Sequence, residues 1–253
     1  MNGTTEGRLR NLYMATSKHS NYQTPFRGLQ PLLGNDLKIV KNRYEQERLS
    51  FVLSYLAPEG KTIRDIGGNT GYFSFEMIER GARFVEYVEG NTAHSEFVSE
   101  AARYLGFGDR INVINGYYSF ESSVQSVDVA VVLNVLHHVG DDYGMGTDSI
   151  HGLRKEISRS LNHLAETSNV AIFQMGFNWK GDIRYPIFPG GTKSEMIDFV
   201  HESTNDRWRV VAIGIAESTD KGIKYYEMNE TNIERNDDLG EFLNRPIFIM
   251  EKS

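Results

Sequence analysis

The chain has 253 residues, no cysteine and a formal net charge of −7. The lack of cysteine excludes disulfides, cysteine-ligated metal sites and cysteine nucleophiles. The acidic balance weighs against nucleic acid as a partner, because nucleic-acid affinity depends largely on Lys and Arg contacts to phosphates. No run of about 18 apolar residues and no apolar N-terminal stretch is present, so we expect a cytoplasmic protein without membrane insertion.

Residues 1–57 are predicted to form an N-terminal lid and a helix that belong to the same domain as the rest of the chain. Pro25 and Pro31 interrupt the early polar stretch and prevent a long helix there. Apolar residues then recur at steps of three and four positions over 44–56. This spacing predicts an amphipathic helix that is stopped at Pro58.

From residue 61 onwards, strand-like and helix-like stretches alternate along the chain. Such alternation predicts right-handed βαβ units and a mostly parallel sheet. We therefore predict one doubly wound α/β domain, with 58–253 as its catalytic part and the polar segment 217–240 as a loop. The predicted strands cover 61–66, 83–88, 111–114, 127–133, 170–173, 209–215 and 246–250, and the predicted helices after residue 60 cover 71–80, 93–105, 150–164 and 193–201.

The segment between the first predicted strand and the following helix reads Asp65-Ile66-Gly67-Gly68-Asn69-Thr70-Gly71. In doubly wound sheets, ligands bind beyond the carboxyl ends of the strands, and glycines allow the backbone to turn sharply beside them. Glu89 ends the second strand, where a carboxylate can accept hydrogen bonds from both hydroxyls of a ribose. An ordinary βα turn and a nicotinamide dinucleotide site are the alternatives, although the glycine spacing departs from the dinucleotide pattern.

A second polar segment, Asn134-Val135-Leu136-His137-His138, follows directly after the fourth strand, which is apolar nearly throughout. Together with the 65–71 loop and Glu89, it resembles the class I S-adenosylmethionine-dependent methyltransferase family over roughly residues 60–175. The run 65–75 with the double histidine is also similar to methyltransferases that modify bacterial surface glycans. The resemblance implies a seven-stranded sheet whose last strand is antiparallel, with S-adenosylmethionine as the cofactor.

The resemblance also implies a role for each matching position. Asn69 stands where the family usually has glycine, and asparagine tolerates the left-handed backbone better than most residues. Glu89 is implied to contact the ribose of the cofactor, Tyr117 the adenine, and Asn134 the methionine amine. The loop around the methionine part is implied to be formed by Asp65, Gly67, Asn69 and Gly71.

The two histidines are the candidates for a general base, because a hydroxyl acceptor is a poor nucleophile while it is protonated. His137 is favoured, since it lies one residue nearer to the end of the buried strand, and the alternative is that both rings stabilise the loop. Asp141 and Asp142 could orient a histidine or bind a metal ion, but solvated carboxylates are the simpler interpretation, and no metal is predicted.

Acceptor binding is assigned to Asn178, Trp179 and Lys180, which leave the carboxyl end of the fifth strand. An amide, a flat aromatic surface and a cation suit a sugar or a phosphorylated ligand, although Trp179 could instead cover the core. Arg43 could pair with the carboxylate of the cofactor through its planar guanidinium. The alternative places Arg43 on a charged helix facing solvent.

These features predict an S-adenosylmethionine-dependent methyltransferase that acts on a small polar acceptor, with a hydroxyl of a sugar or glycan as the preferred target. An RNA-modifying methyltransferase and a non-catalytic cofactor-binding protein remain the alternatives. The sequence assigns neither an oligomeric state nor a role to the segment 240–246.

Overall fold

The computed structural model describes residues 4–15, 22–34, 40–122, 125–140, 147–204 and 206–253. The chain divides into two compact units. Unit 1 comprises Met1–Glu45 and Pro58–Tyr118, and unit 2 comprises Gln46–Ala57 and Ser119–Ser253. Residues 58–118, which the sequence groups with the catalytic part, thus cluster with the N-terminal segment. The lid function of residues 1–57 stays a prediction.

Unit 1 is built on three parallel strands in the order β3-β2-β1. In this register Asp65 lies opposite Tyr87, and Glu89 lies opposite Asn115. The fully buried side chains of Phe75 and Phe97 pack in the core of the unit. The elements of unit 1 are α1 (Thr5–Met14), α2 (Gln30–Leu33), β1 (Thr62–Ile66), α4 (Tyr72–Glu79), β2 (Phe84–Glu89), α5 (Thr92–Tyr104) and β3 (Ile111–Asn115).

Unit 2 contains the remaining five strands in the order β4-β5-β8-β6-β7. The β4–β5 pair is parallel, whereas the β5–β8, β8–β6 and β6–β7 pairs are antiparallel. Helix α3 (Glu45–Leu53) belongs to this unit apart from its first residue. The other elements are β4 (Val127–Leu133), α6 (Ile150–Thr167), β5 (Ser168–Gln174), α7 (Lys193–Thr204), β6 (Trp208–Thr219), β7 (Gly222–Glu227), α8 (Gly240–Leu243) and β8 (Ile247–Lys252).

The doubly wound α/β fold and the antiparallel last strand are confirmed. The loop prediction for 217–240 is wrong over the end of β6 and over β7, and the described residues form eight strands instead of the expected seven. β7 pairs with β6 alone among the described strands, and Tyr225 is its one buried side chain. A polar strand of this kind lacks the apolar run that marks a central strand.

The predicted amphipathic helix over 150–164 is confirmed, because α6 buries Leu153, Ile157, Leu161 and Leu164 completely or nearly so. The predicted helix over 44–56 is shorter than expected, since α3 begins at Glu45 after Tyr44, whose φ is 56°. In the described ranges, no helix combines the length and the apolar composition that crossing a membrane requires.

Candidate functional site

The 65–71 loop of unit 1 has the backbone that its sequence predicts. Gly67 and Gly71 adopt φ values of 71° and 79°, and Asn69 adopts 51°. The hydroxyl of Tyr87 donates a hydrogen bond to the carbonyl of Asn69 and so supports this left-handed residue. A Cβ atom at Gly68 would lie only 2.5 Å from the ring of Tyr87. The loop is therefore shaped against a buried aromatic side chain of β2.

The N-terminal segment of unit 1 holds the other side of the same loop. Oε1 of Gln23 accepts hydrogen bonds from the hydroxyl of Thr70 and from the backbone N–H of Tyr72, both at 3.0 Å. Tyr72 is the first residue of α4, and its N–H group has no partner inside the helix. Gln23 thus caps α4 from outside the helix and links the loop to the segment that the sequence assigns to a lid.

The carboxylate of Glu89, at the end of β2, is anchored by two backbone groups. Its Oε2 accepts the N–H of Asn69 at 2.9 Å, and its Oε1 accepts the N–H of Asn91 at 2.8 Å. A carboxylate oxygen can accept more than one hydrogen bond. The side chain is half-buried, and a carboxylate at the end of this strand suits the vicinal hydroxyls of a ribose.

Asp65 lies within the loop region but does not present its side chain to solvent. The residue is only 4% exposed, and Oδ2 accepts a hydrogen bond of 2.7 Å from the hydroxyl of Ser74 on α4. The pKa of Asp65 is raised to about 6, mainly because the carboxyl is buried; the hydrogen bond from Ser74 opposes this shift, and the nearby charge of Glu89 adds to it. Asp65 therefore links β1 to α4 below the loop.

Tyr117 is placed where a planar ligand group could contact it. The residue is 63% exposed, and its ring lies so close to Gly90 that a Cβ atom there would be 2.2 Å from Cε1. Gly90 directly follows Glu89, so the exposed ring and the anchored carboxylate occupy adjoining positions in unit 1. The assignments of Tyr117 to adenine and Glu89 to ribose stay predictions.

Arg43 lies in the extended stretch before α3, so the alternative that places it on a helix is wrong. The reason is the left-handed backbone of Tyr44, which separates Arg43 from the first turn of α3. The guanidinium carbon of Arg43 is 5.1 Å from the ring centroid of Tyr22, and its backbone N–H donates to Glu45 at 3.2 Å. Its pairing with a cofactor carboxylate stays a prediction.

In unit 2, Asn134 follows β4 in a left-handed conformation with φ of 63°. Both ends of its side-chain amide are engaged. Nδ2 donates to Oε1 of Gln174 at 3.0 Å, and Oδ1 accepts from Nη1 of Arg245 at 2.7 Å. The side chain is therefore committed within unit 2, and the backbone carbonyl is the better candidate for facing the methionine amine.

The two histidines occupy different environments. His137 is 1% exposed, and its Nδ1 accepts the backbone N–H of Gly176 at 3.2 Å. A ring nitrogen that accepts such a bond carries no proton and is not free to take one from a substrate. The ring of His138 lies 4.3 Å from that of His137, and the residue is partly exposed. This geometry favours His138 as the base and a structural role for His137.

The acceptor segment forms a hydrogen-bonded turn in unit 2. Nε1 of Trp179 donates to the carbonyl of Val139 at 2.8 Å, and Nζ of Lys180 lies 4.7 Å from the indole centroid. Asn178 pairs with Pro186 in an isolated antiparallel bridge. A Cβ atom at Gly181 would contact Cε1 of His138 at 4.0 Å. The structure therefore brings His138 together with the turn, and these residues form what we name the acceptor cluster: His138, Asn178, Trp179 and Lys180.

Sequence reasoning misses several residues that hold these positions, among them Gln23, Tyr87, Gln174 and Arg245. Gln23, Gln174 and Arg245 lie far along the chain from the residues they support, so no local sequence pattern indicates them. Glu241 and Arg245 do carry a signal, because opposite charges four positions apart pair on one side of a helical turn. Asp141 and Asp142 lie outside the described residues, and the absence of a metal site stays a prediction.

No family model matches this chain. Among solved structures, a proposed RNA methyltransferase from Pyrococcus horikoshii is 15% identical at a TM-score of 0.51, over 99% of this chain and 98% of that one. A proposed hemolysin from Streptococcus thermophilus is 14% identical at 0.50, over 81% and 64% of the two chains. The mitomycin 7-O-methyltransferase is 14% identical at 0.49, over 82% and 53%. At these low identities, the first two matches show a shared fold.

Proposed function

We propose that this chain is an S-adenosylmethionine-dependent methyltransferase. The observation that carries the proposal is the carboxylate of Glu89, which two backbone N–H groups anchor at 2.9 and 2.8 Å. The half-exposed carboxylate fits the two hydroxyls of a ribose, and Tyr117 offers an exposed ring next to it. Gly67 is exposed and left-handed, and a residue without a side chain allows a ligand to approach the loop backbone closely.

When bound, the cofactor supplies an activated methyl group for an in-line displacement. The residues of this chain then have to orient the acceptor and exclude water. His138 is proposed to take the proton of the acceptor hydroxyl, since the Nδ1 of His137 is already used by Gly176. Asn134 is proposed to face the methionine amine with its backbone carbonyl, because its side chain is held by Gln174 and Arg245.

The acceptor is proposed to be a hydroxyl of a sugar or glycan. The indole of Trp179 is fixed through its N–H group and offers a flat face of the kind that stacks on a sugar ring. Lys180 adds a cation, and Ile183 and Tyr185 extend the exposed surface of the same loop, with 83% and 49% exposure. Small molecules and glycans are thus the proposed partners, and the proposed location is the cytoplasm.

An assay of S-adenosylhomocysteine formation tests this function directly. The purified protein would be incubated with the cofactor and separate panels of nucleotide sugars, oligosaccharides and RNA. We expect turnover with a sugar acceptor and a large loss in Trp179→Ala, with little change in Trp208→Phe, whose indole is buried in unit 2. Turnover with RNA alone would replace the glycan proposal by the RNA alternative, and binding without turnover on any panel would favour a non-catalytic cofactor-binding protein.

A further inference from the structure

The segment 240–246, which the sequence leaves unassigned, reaches the residue that follows β4. Nη1 of Arg245 donates to Oδ1 of Asn134 at 2.7 Å, although the two residues lie 111 positions apart. The carbonyl of Arg245 also accepts a bond of 3.0 Å from Nε2 of Gln174, the last residue of β5. We propose that Arg245 is a positioning residue, which fixes the amide of Asn134 and thereby its backbone carbonyl. This inference rests on the proposed function.

The orientation of the Asn134 amide follows from donor and acceptor chemistry. A guanidinium can only donate hydrogen bonds, so the atom that faces Arg245 must be the oxygen of the amide. The amide nitrogen then points to Oε1 of Gln174, which also accepts a bond of 3.3 Å from Arg48. If the amide were rotated by half a turn, its NH₂ group would face the guanidinium of Arg245, and two hydrogen-bond donors would oppose each other. The side chain is therefore locked in one orientation.

Arg245 is itself held in place by the segment that carries it. Nε lies 3.1 and 3.2 Å from the two carboxylate oxygens of Glu241, and Nη2 lies 2.5 Å from Oε2. Such paired contacts fix the plane of a guanidinium as well as its position. The ring of Phe242 lies 5.1 Å from the guanidinium carbon of Arg245 and 5.3 Å from that of Arg48. Both guanidinium groups thus lie within the distance at which an aromatic ring attracts a cation.

Gly176 allows these groups to converge just beyond β5. A Cβ atom at this position would lie 2.8 Å from the ring of His137 and 3.2 Å from the guanidinium carbon of Arg245. The backbone N–H of the next residue, Phe177, donates to Glu241 at 3.2 Å. The 240–246 segment thus braces both the end of β5 and the residue after β4. Its expected role is to keep Asn134 left-handed with its carbonyl in one direction.

Two ligands separate this role from a general structural one. S-adenosylhomocysteine carries the amino-acid part that Asn134 is proposed to face, whereas 5′-methylthioadenosine lacks it. In Arg245→Met we expect the Kd of S-adenosylhomocysteine to rise about tenfold or more, because the bond that orients Asn134 is lost. The Kd of methylthioadenosine should stay within about twofold. In Arg245→Lys, the Kd of S-adenosylhomocysteine should lie between those of the wild type and Arg245→Met, since lysine keeps the charge but not the planar contact with Glu241.

Arg209→Met is the matched control, because Arg209 also pairs with a glutamate, Glu251, but on the exposed surface. Arg209→Met should change neither the Kd of S-adenosylhomocysteine nor that of methylthioadenosine. If Arg245→Met does not fold, Glu241→Gln loosens the same guanidinium with a smaller change. This variant should weaken the binding of S-adenosylhomocysteine but not that of methylthioadenosine. Equal losses for both ligands, or unchanged affinities, would overturn the role of Arg245. Failure of the wild-type protein to bind either ligand would instead overturn the proposed function.

Discussion

Glu89 ties the end of β2 to the left-handed residue Asn69, because its Oε2 accepts the Asn69 backbone N–H at 2.9 Å. The contact places a carboxylate and a glycine-rich turn side by side in unit 1. Tyr87 binds the backbone carbonyl of the same residue, and asparagine tolerates the left-handed backbone at this position. The Glu89 carboxylate is thus both a support of the loop and the proposed ligand for ribose.

Replacement of Glu89 by alanine should weaken binding of S-adenosylmethionine by about 1.5–3 kcal/mol or more, because hydrogen bonds to a charged acceptor are lost. Isothermal titration calorimetry measures the change. Glu96→Ala on α5 is the control, since Glu96 is exposed, and it should leave the affinity unaltered. Equal affinities in the wild type and Glu89→Ala would remove Glu89 from the site.

Substitution of Gly67 by valine should abolish cofactor binding while the protein stays folded. A β-branched side chain at φ of 71° strains the turn and would block the close approach of the proposed ligand to the loop backbone. Gly60 has the same φ, and a Cβ atom there would meet no atom within 4 Å. Gly60→Val is therefore the control, because it introduces the same backbone strain outside the 65–71 loop. Circular dichroism would verify folding, and normal cofactor affinity in Gly67→Val would contradict the loop assignment.

Asp65 should make folding stability depend on pH. Its pKa is about 6 in the folded protein, against 3.8 without the protein environment. The folded state therefore binds the proton more tightly, and this contribution to stability is present at low pH and is lost as the pH rises from about 4 to 6. Relative to Asp65→Asn, the wild type should lose roughly 2 kcal/mol of unfolding free energy between pH 4.5 and 7.5.

Urea unfolding of both proteins at the two pH values provides the measurement for Asp65. Asp198→Asn on the exposed side of α7 serves as the control and should follow the wild type at both pH values. A difference between the wild type and Asp65→Asn that is constant with pH would show that Asp65 titrates normally.

The histidines should respond differently to replacement by alanine. His138→Ala should lower single-turnover rates by about 10²–10⁴-fold, as expected for loss of a general base, with cofactor affinity nearly intact. His137→Ala should mainly reduce stability, by about 1–3 kcal/mol, because the buried N–H of Gly176 loses its acceptor. If rates in His138→Ala stay within about threefold of the wild type, orientation alone must carry the reaction.

The parts of the site that follow directly from strand ends could be predicted from the sequence. The 65–71 loop and Glu89 lie at the carboxyl ends of β1 and β2, and Asn134 directly follows β4, where apolar runs change to glycine or polar residues. The positions of Gln23 and Arg245 could not be predicted, because their partners lie 47 to 49 and 111 residues away. We propose His138 instead of His137 as the base because Gly176 contacts the ring of His137, and sequence adjacency does not determine this contact. The sequence did not predict β7, because β7 is a polar strand that lies last in the strand order of unit 2 and lacks an apolar run.

Calorimetric titration of the purified wild-type protein with S-adenosylmethionine tests the central claim most directly, with NAD as a parallel ligand. We predict saturable one-to-one binding of S-adenosylmethionine that Glu89→Ala weakens, and no binding of NAD. Saturable binding of NAD without binding of S-adenosylmethionine would contradict the account and assign the 65–71 loop and Glu89 to a dinucleotide.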